Sequence, residues 1–489
     1  MSTTPAAAEQ PQKLRNTLNW RDGLALSIVC VNGLFVSLGY AVGILGAWTA
    51  ILIWVAATCV GLLQNQLFAE LAAMFPDKSG GVARYAIEGW KRYFAPLGAI
   101  ASFGYWIGWS LSIAVTASAL GGIVQTQWFT GSTGTVRFLG NHLGLSHVFA
   151  IAAIWLAWGV NYVGIRLATT INKITGVVVT IGLMMVAVLG VVRGQWHADG
   201  LGWGSGLTFS TIVVWYYLTA WTTYGVEIGA SFAPEYRNPV RDTAKVLRAT
   251  SVFMLVAFVA IPLGVTGTIG EQKLAENPIA YVTVAFDQLF GGYGWIGTVV
   301  LVLSLWLAMI STTADGGRAL YGLAQEGMTV RQLDHLNRWG VPGRSLTLDG
   351  IINTAHVVLL STPVAILLAS NLGYMTALTL AVGAFVLLRR DRPHWPRPIR
   401  RGRVWVPVAV AIFLLNLFVT VWGVTHPSDA GYGGPKETAI GVGILVLSVV
   451  LFAYRQVVQD KRPIRWRDRD DDNGQEAGAP GPDPLPTAP

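Results

Sequence analysis

Charge is scarce in this sequence, and so is cysteine. Asp, Glu, Lys and Arg make up 12% of the 489 residues, where a soluble domain carries about a quarter. Only two cysteines occur, Cys30 and Cys59, both inside apolar stretches, so no disulfide framework organises the chain. H-E-x-x-H, G-x-S-x-G and a Walker glycine loop with its Lys are all missing. Their absence argues against a membrane-embedded enzyme and against an ATP-driven pump. No cofactor or metal is expected. Intramembrane charges are too few for the continuous polar lining that a channel would want.

What is present is apolar. Hydrophobic residues reach 53% of the chain, and a spanning helix needs about 20 of them in succession. Twelve stretches qualify: 23–45, 48–74, 97–125, 146–164, 172–192, 209–232, 248–269, 295–323, 347–368, 371–389, 404–424 and 437–456. The fold class expected is therefore an all-α integral membrane protein with twelve transmembrane helices. Residues 1–20 read as a polar cytoplasmic tail without a cleavable signal. Residues 459–489 are acidic and rich in Pro and Gly, and read as a disordered cytoplasmic tail.

The basic residues test this topology. With the N-terminus in the cytoplasm, all of the 34 Lys and Arg fall on the inside except Arg137, Arg193, Lys273 and Lys436. An odd number of spans would scramble that split, so both termini are expected inside. The formal net charge of +8 is thereby explained by orientation, without nucleic acid as a partner. Arg237, Arg241, Lys245 and Arg248 recur at helical spacing and read as topology anchors at lipid headgroups.

Two spans are interrupted. The first contains Gly33 and Gly39. The sixth contains Gly225 and Gly229 with a carboxylate, Glu227, between them, and Pro234 closes it. A carboxylate at membrane depth is costly unless it meets a partner or a wet cavity. Broken helices in lipid are tolerated where they line such a cavity. Interruptions five helices apart suggest two inverted five-helix repeats, 21–195 and 205–390, around a midplane site. Helices eleven and twelve, within 400–458, would lie outside that core.

Four motifs carry a family resemblance. Residues 70–85, ELAAMFPDKSGGVARY, resemble the E-L-x-x-x-x-P-x-x-G-G-x-x-x-Y signature of the amino acid–polyamine–organocation (APC) transporters. Gly225-Val226-Glu227 followed by Glu235-Tyr236-Arg237-Asn238-Pro239 resembles that family's sixth helix and its exit. Residues 318–327, with Gly340-Val341-Pro342 beyond, resemble its eighth helix and following loop. Arg397-Pro398 resembles the R-P after its tenth. The resemblance implies a LeuT-like fold in the plasma (cell inner) membrane and alternating access for a small amino acid or amine. It implies substrate contacts where helices one and six unwind: Asn32, Gly33 and Leu34 on the first, Trp221, Tyr224 and Gly225 on the sixth. There, helix ends offer donors to a carboxylate and acceptors to an ammonium. The family's usual G-x-G in the first helix is replaced here by Val31-Asn32-Gly33. At the place where proton-coupled relatives carry a Lys in the fifth helix stands Thr180. Ser311, Thr312 and Thr313 offer hydroxyls that could serve a sodium site, but proton symport or exchange is the expected coupling.

Each candidate has a plainer alternative. Glu227 either couples protons or a cationic substrate, or locks helix six to a neighbour. Trp221 and Tyr224 either face an ammonium by cation–π attraction or pack, and packing is the expectation for Trp215, Tyr216 and Tyr217. Trp106 and Trp109 on helix three are similar candidates. Asp315 and Arg318, three apart on helix eight, are expected to pair near a cytoplasmic gate. Glu70, with Gly80 and Gly81, is expected to hold the intracellular loop. His356 reads as a packed core residue. The runner-up substrate is a polyamine or other organic cation. Oligomeric state is not legible.

Overall fold

The computed structural model describes residues 16–28, 31–76, 78, 80–138, 141–164, 167, 170–171, 184–185, 187–360 and 362–467. The first predicted span is divided. Helix α1 covers Trp20–Ile28, and α2 begins again at Asn32 and runs to Leu45. Gly46, at φ 74°, turns the chain directly into α3, Ala47–Met74. An amphipathic helix α4, Gly81–Phe94, leads into α5, Pro96–Trp128. A small hairpin, β1 (Val136–Phe138) against β2 (Asn141–Leu143), then precedes α6, Leu145–Val163. Most of the predicted fifth helix, including Thr180, lies outside the described residues, as does most of each polar tail.

The sixth span changes character partway. Thr208 caps α7, Phe209–Tyr224, by accepting from the Thr211 amide, and α-helix gives way at Gly225 to a 3-10 stretch, Gly225–Ala230. Next come α8 (Pro239–Ile269), the short α9 (Glu271–Glu276) and α10 (Tyr281–Phe290), and α11 (Gly294–Gln325). The chain closes with α12 (Gly343–Leu359), α13 (Pro363–Asp391), α14 (Trp405–Thr425) and α15 (Pro435–Tyr454). Among the described residues, nine helical segments are long and apolar enough to cross a membrane. The sixth and ninth predicted spans fall short as single α-helices because α7 has 16 residues before its break and α12 has 17. The protein is thus an all-α, multi-pass membrane protein.

Two groups of helices pack around a shared interior. The first is α1, α2, α3, α7 and α8; the second is α5, α6, α11 and α12. Helix α13 joins them and runs along α5 at very short range. A Cβ built on Gly104 would stand 2.3 Å from the Gly373 carbonyl oxygen, so only glycine fits that crossing. Small residues of this kind let helix backbones close up where lipid supplies no hydrophobic drive between helices. Burial separates centre from rim. The most apolar windows of α5 and α13 are each 83% buried inside the protein, against 33% for α14 and 22% for α15. Those outer helices present Leu414, Phe418, Val446 and Val450 outward, the pattern of a lipid-facing surface.

Candidate functional site

The break in α7 meets the start of α2. A Cβ on Gly33 would stand 2.8 Å from Thr222 Cγ2 and 3.3 Å from Trp221 Cζ3. A Cβ on Gly225 would stand 3.2 Å from Trp109 Cη2. Both glycines therefore mark backbone pressed against neighbouring side chains. A small hollow opens between them. Gly33 lines it from α2; Trp221, Thr222 and Gly225 from the sixth span; Trp109, Ser112 and Thr116 from α5; Ala308 and Thr312 from α11; and Tyr374 from α13. None of these side chains carries a formal charge at neutral pH.

Glu227 stands just behind this lining and is fully buried. Its Oε1 accepts from Tyr374 Oη at 2.8 Å and from Trp109 Nε1 at 3.1 Å, and its Oε2 accepts from Tyr105 Oη at 2.9 Å. Three donors from α5 and α13 fasten the 3-10 stretch to the rest of the bundle, so Glu227 does lock helix six to its neighbours. Two of the donors, Trp109 and Tyr374, also line the hollow. A change at Glu227 therefore reaches the hollow through them.

The predicted contacts divide. Gly33, Trp221 and Gly225 come together at the hollow, with Trp221 Nε1 donating to the Gly108 carbonyl at 3.2 Å. Tyr224 turns away: its hydroxyl donates to Asn416 Oδ1 on α14 at 3.1 Å and lies 3.1 Å from Tyr216 Oη. The i,i+3 spacing alone would put Tyr224 on the Trp221 face; the bonds to Asn416 and Tyr216 set its direction instead. Leu34 is buried but not part of the lining. The side chain of Asn32 lies outside the described set. Trp215 and Tyr217 are packed, and Trp106 donates to Asp349 rather than facing the hollow. Thr312 is at the hollow, its hydroxyl donating to the Ala308 carbonyl at 3.1 Å; Ser311 is buried in α11. His356 Nδ1 lies 2.8 Å from the Ile352 carbonyl of its own helix.

The candidates expected at the cytoplasmic side form separate clusters. Arg318 does not take Asp315 as its hydrogen-bonding partner. Its Nε donates to Glu235 Oε1 at 2.6 Å, and a terminal nitrogen donates to the Ala314 carbonyl at 2.9 Å. The exit segment after helix six supplies a better-placed carboxylate than the helix's own i−3 neighbour. That segment also receives the N-terminal strand: Leu18 N donates to the Glu235 carbonyl at 2.9 Å, and Arg237 N to the Leu18 carbonyl at 2.8 Å. Glu70 is fully buried and accepts from Arg389 Nε at 2.9 Å, from a terminal Arg389 nitrogen at 2.5 Å, and from the Arg401 amide at 2.7 Å. Gly80 and Gly81 take φ of 101° and 47°, and a Cβ on Gly81 would meet Ser231 Oγ at 3.0 Å. The glycine pair is thus shaped by a left-handed turn set against helix six.

Sequence reasoning overlooked Tyr105, Tyr374 and Asp349. Nothing in their spacing marked the tyrosines. Asp349 was visible as an acid inside an apolar span, but the span was drawn from residue 347, which left Asp349 at its edge. The helix starts at Gly343, so Asp349 is nearly two turns inside.

Broken spans, a neutral hollow between them and lipid-facing outer helices define a polytopic membrane protein built to hold a small solute. The model of the amino acid permease family matches residues 22–451, and the chain belongs to that family. It is similar to the D-serine/D-alanine/glycine transporter of Escherichia coli K12, at 20% identity over 84% of this chain and 89% of that protein. It is similar to a branched-chain amino acid permease of Bacillus subtilis, at 23% identity over 86% of this chain and 91% of that one. A similar match is the L-lysine transport protein of Corynebacterium glutamicum, at 25% identity over 80% and 75%.

Proposed function

We propose that the protein is a secondary transporter that moves amino acids across the plasma membrane by alternating access. The observation that carries this is the meeting of two helix ends at one hollow. Helix α2 begins at Asn32, next to the Gly33 that lines the hollow, and a helix N-terminus carries partial positive charge. Helix α7 stops being α-helical at Gly225 across the hollow. A free N-terminus favours the substrate carboxylate, and carbonyls released at an interrupted helix favour its ammonium. Gly33, Trp221 and Gly225 would touch the substrate, with Trp109 and Tyr374 closing the hollow from the side of α5 and α13.

The uncharged lining favours a zwitterion with a small neutral side chain over a polyamine. Glu227, the one carboxylate immediately behind it, is already held by three donors. In this arrangement residues 21–195 and 205–390 form two inverted repeats, helices eleven and twelve are peripheral, and both termini are cytoplasmic. Glu227 is the residue through which protons are coupled.

Reconstitution into proteoliposomes tests the proposal. Vesicles loaded with a mixture of proteinogenic amino acids should exchange it saturably for the same labelled mixture outside, with no chemical turnover. Conversion of the mixture, or flux linear in concentration, would replace a transporter by an enzyme or a channel. A thermal-shift screen of the purified protein would identify the preferred ligand, because binding to the folded state raises apparent stability.

A further inference from the structure

Two further acids are as fully buried as Glu227. Asp349 of α12 and Asp315 of α11 are both 0% exposed. Asp349 Oδ1 accepts from Trp106 Nε1 at 3.1 Å, while Oδ2 takes no hydrogen bond. Oδ2 would stand 2.8 Å from a Cβ on Gly316 of α11, the residue next to Asp315, and Ser110 lies beside the same carboxylate. The Asp315 carboxylate lies against Ser231 and beside Arg318, and neither of its oxygens takes a well-directed hydrogen bond. Ser231 Oγ is 2.9 Å from Tyr105 Oη, which is 2.9 Å from Glu227 Oε2. Hydrogen bonds therefore link Glu227 through Tyr105 to Ser231, and Asp315 lies beside Ser231.

The charges here do not balance. Glu227 meets Tyr105 and Trp109 of α5 and Tyr374 of α13, with Tyr85 of α4 and Asp315 nearby. Asp315 faces Arg318, Tyr105 and Asp349. Asp349 faces Trp106 and Ser110. Among the described residues, Arg318 is the cation in this set, and Glu235 already holds it at 2.6 Å. One guanidinium cannot offset Glu227, Glu235, Asp315 and Asp349 together, and uncompensated charge in a protein interior is strongly unfavourable.

We propose that Asp315 and Asp349 form a buried carboxylate pair that stores and releases the coupled proton, connected to Glu227 through the hydroxyls of Tyr105 and Ser231. This rests on the proton-linked transporter function proposed above. The transfer balances. Protonated Glu227 gives its proton to Tyr105 Oη, Tyr105 passes its own to Ser231 Oγ, and Ser231 passes its own to Asp315. Glu227 ends one proton poorer, Asp315 one richer, and both hydroxyls are restored. Asp349, across the contact between α11 and α12, adds its negative charge to the same site.

Infrared spectroscopy of the purified full-length protein in lipid reads the stored proton without any substrate. A protonated-carboxyl C=O band is expected in the wild type. It should shrink or shift in Asp315→Asn and in Asp349→Asn. Ser231→Ala and Tyr105→Phe keep both acids, so they should keep the band. In proteoliposomes holding a pH dye, those two variants should slow proton movement linked to amino acid uptake on the order of tenfold or more relative to counterflow. A wild type without the band, a band untouched by either Asp→Asn change, or uptake driven by sodium in place of a pH gradient would each overturn the pair. Absent counterflow of the labelled amino acid mixture would instead remove the transporter proposal, while the infrared result would still decide the protonation of the two acids. Should Asp349→Asn fail to fold, Ser231→Ala still tests the connection.

Discussion

Glu70 and Glu227 are both buried acids of this protein, and their company could hardly differ more. Glu70 sits among guanidinium groups: Arg389 grips it through two nitrogens, Arg397 lies 3.6 Å away, and the Arg401 amide adds a further donor. Glu227 sits among two phenols and an indole, with no cation within hydrogen-bonding reach among the described residues. Glu70, held by these fixed positive charges, clasps the end of α3 to the end of α13. An acid held by neutral donors can gain or lose a proton without stranding a partner charge. The first arrangement suits a permanent fastening, the second a part that changes during a cycle.

The largest effect should come from breaking the fastening. Glu70→Ala leaves Arg389 and Arg397 without their carboxylate, and removing one member of a buried pair costs about 3–5 kcal/mol. Detergent-solubilised protein should unfold at markedly lower temperature, and an unchanged melting curve would mean the cluster is solvated. Next is Gly33→Ala. The added methyl would be pushed into Thr222 and Trp221, an overpacking worth about 1–3 kcal/mol. Amino acid counterflow should fall while the melting temperature moves less than for Glu70→Ala. Retained transport would place the substrate elsewhere.

Glu227→Gln sharpens the contrast more gently. The amide oxygen can keep Tyr374 and Trp109, and the amide nitrogen can donate to Tyr105 if that hydroxyl turns. Stability should change by no more than about 1 kcal/mol, whereas the dependence of uptake on pH should flatten. An unaltered pH profile would reduce Glu227 to a fastening like Glu70. The smallest effect is expected for Tyr224→Phe, which loses the bond to Asn416, a change of about 0.5–1.5 kcal/mol. Apparent substrate affinity should stay as it was. A weakened affinity would return Tyr224 to the binding site.

These differences could be read only partly from the chain. The periodic apolar runs announced the spans, and Gly225 the interruption of the sixth, because helix length and backbone freedom are local properties; α2, by contrast, runs unbroken through Gly33 and Gly39. Glu70 was expected to hold the loop after the second span, but its partners Arg389 and Arg401 come from much later in the chain. Tyr224 was grouped with Trp221 by its spacing, but its direction is set by Asn416 on a distant helix. Arg318 was paired with Asp315 by spacing alone, yet Glu235, distant in sequence, takes it. Asp349 escaped attention because the predicted start of its helix was four residues late.

By itself the sequence determined that this is a helical membrane protein with interrupted spans and an acid at depth, since hydrophobic length, glycine position and charge placement act within a few residues. Only the tertiary structure decided which side chains line the hollow, which donors hold Glu227, and which acids lie together without enough positive charge. Those outcomes depend on how separate helices face one another, and no periodicity within a single helix encodes the direction of its partner.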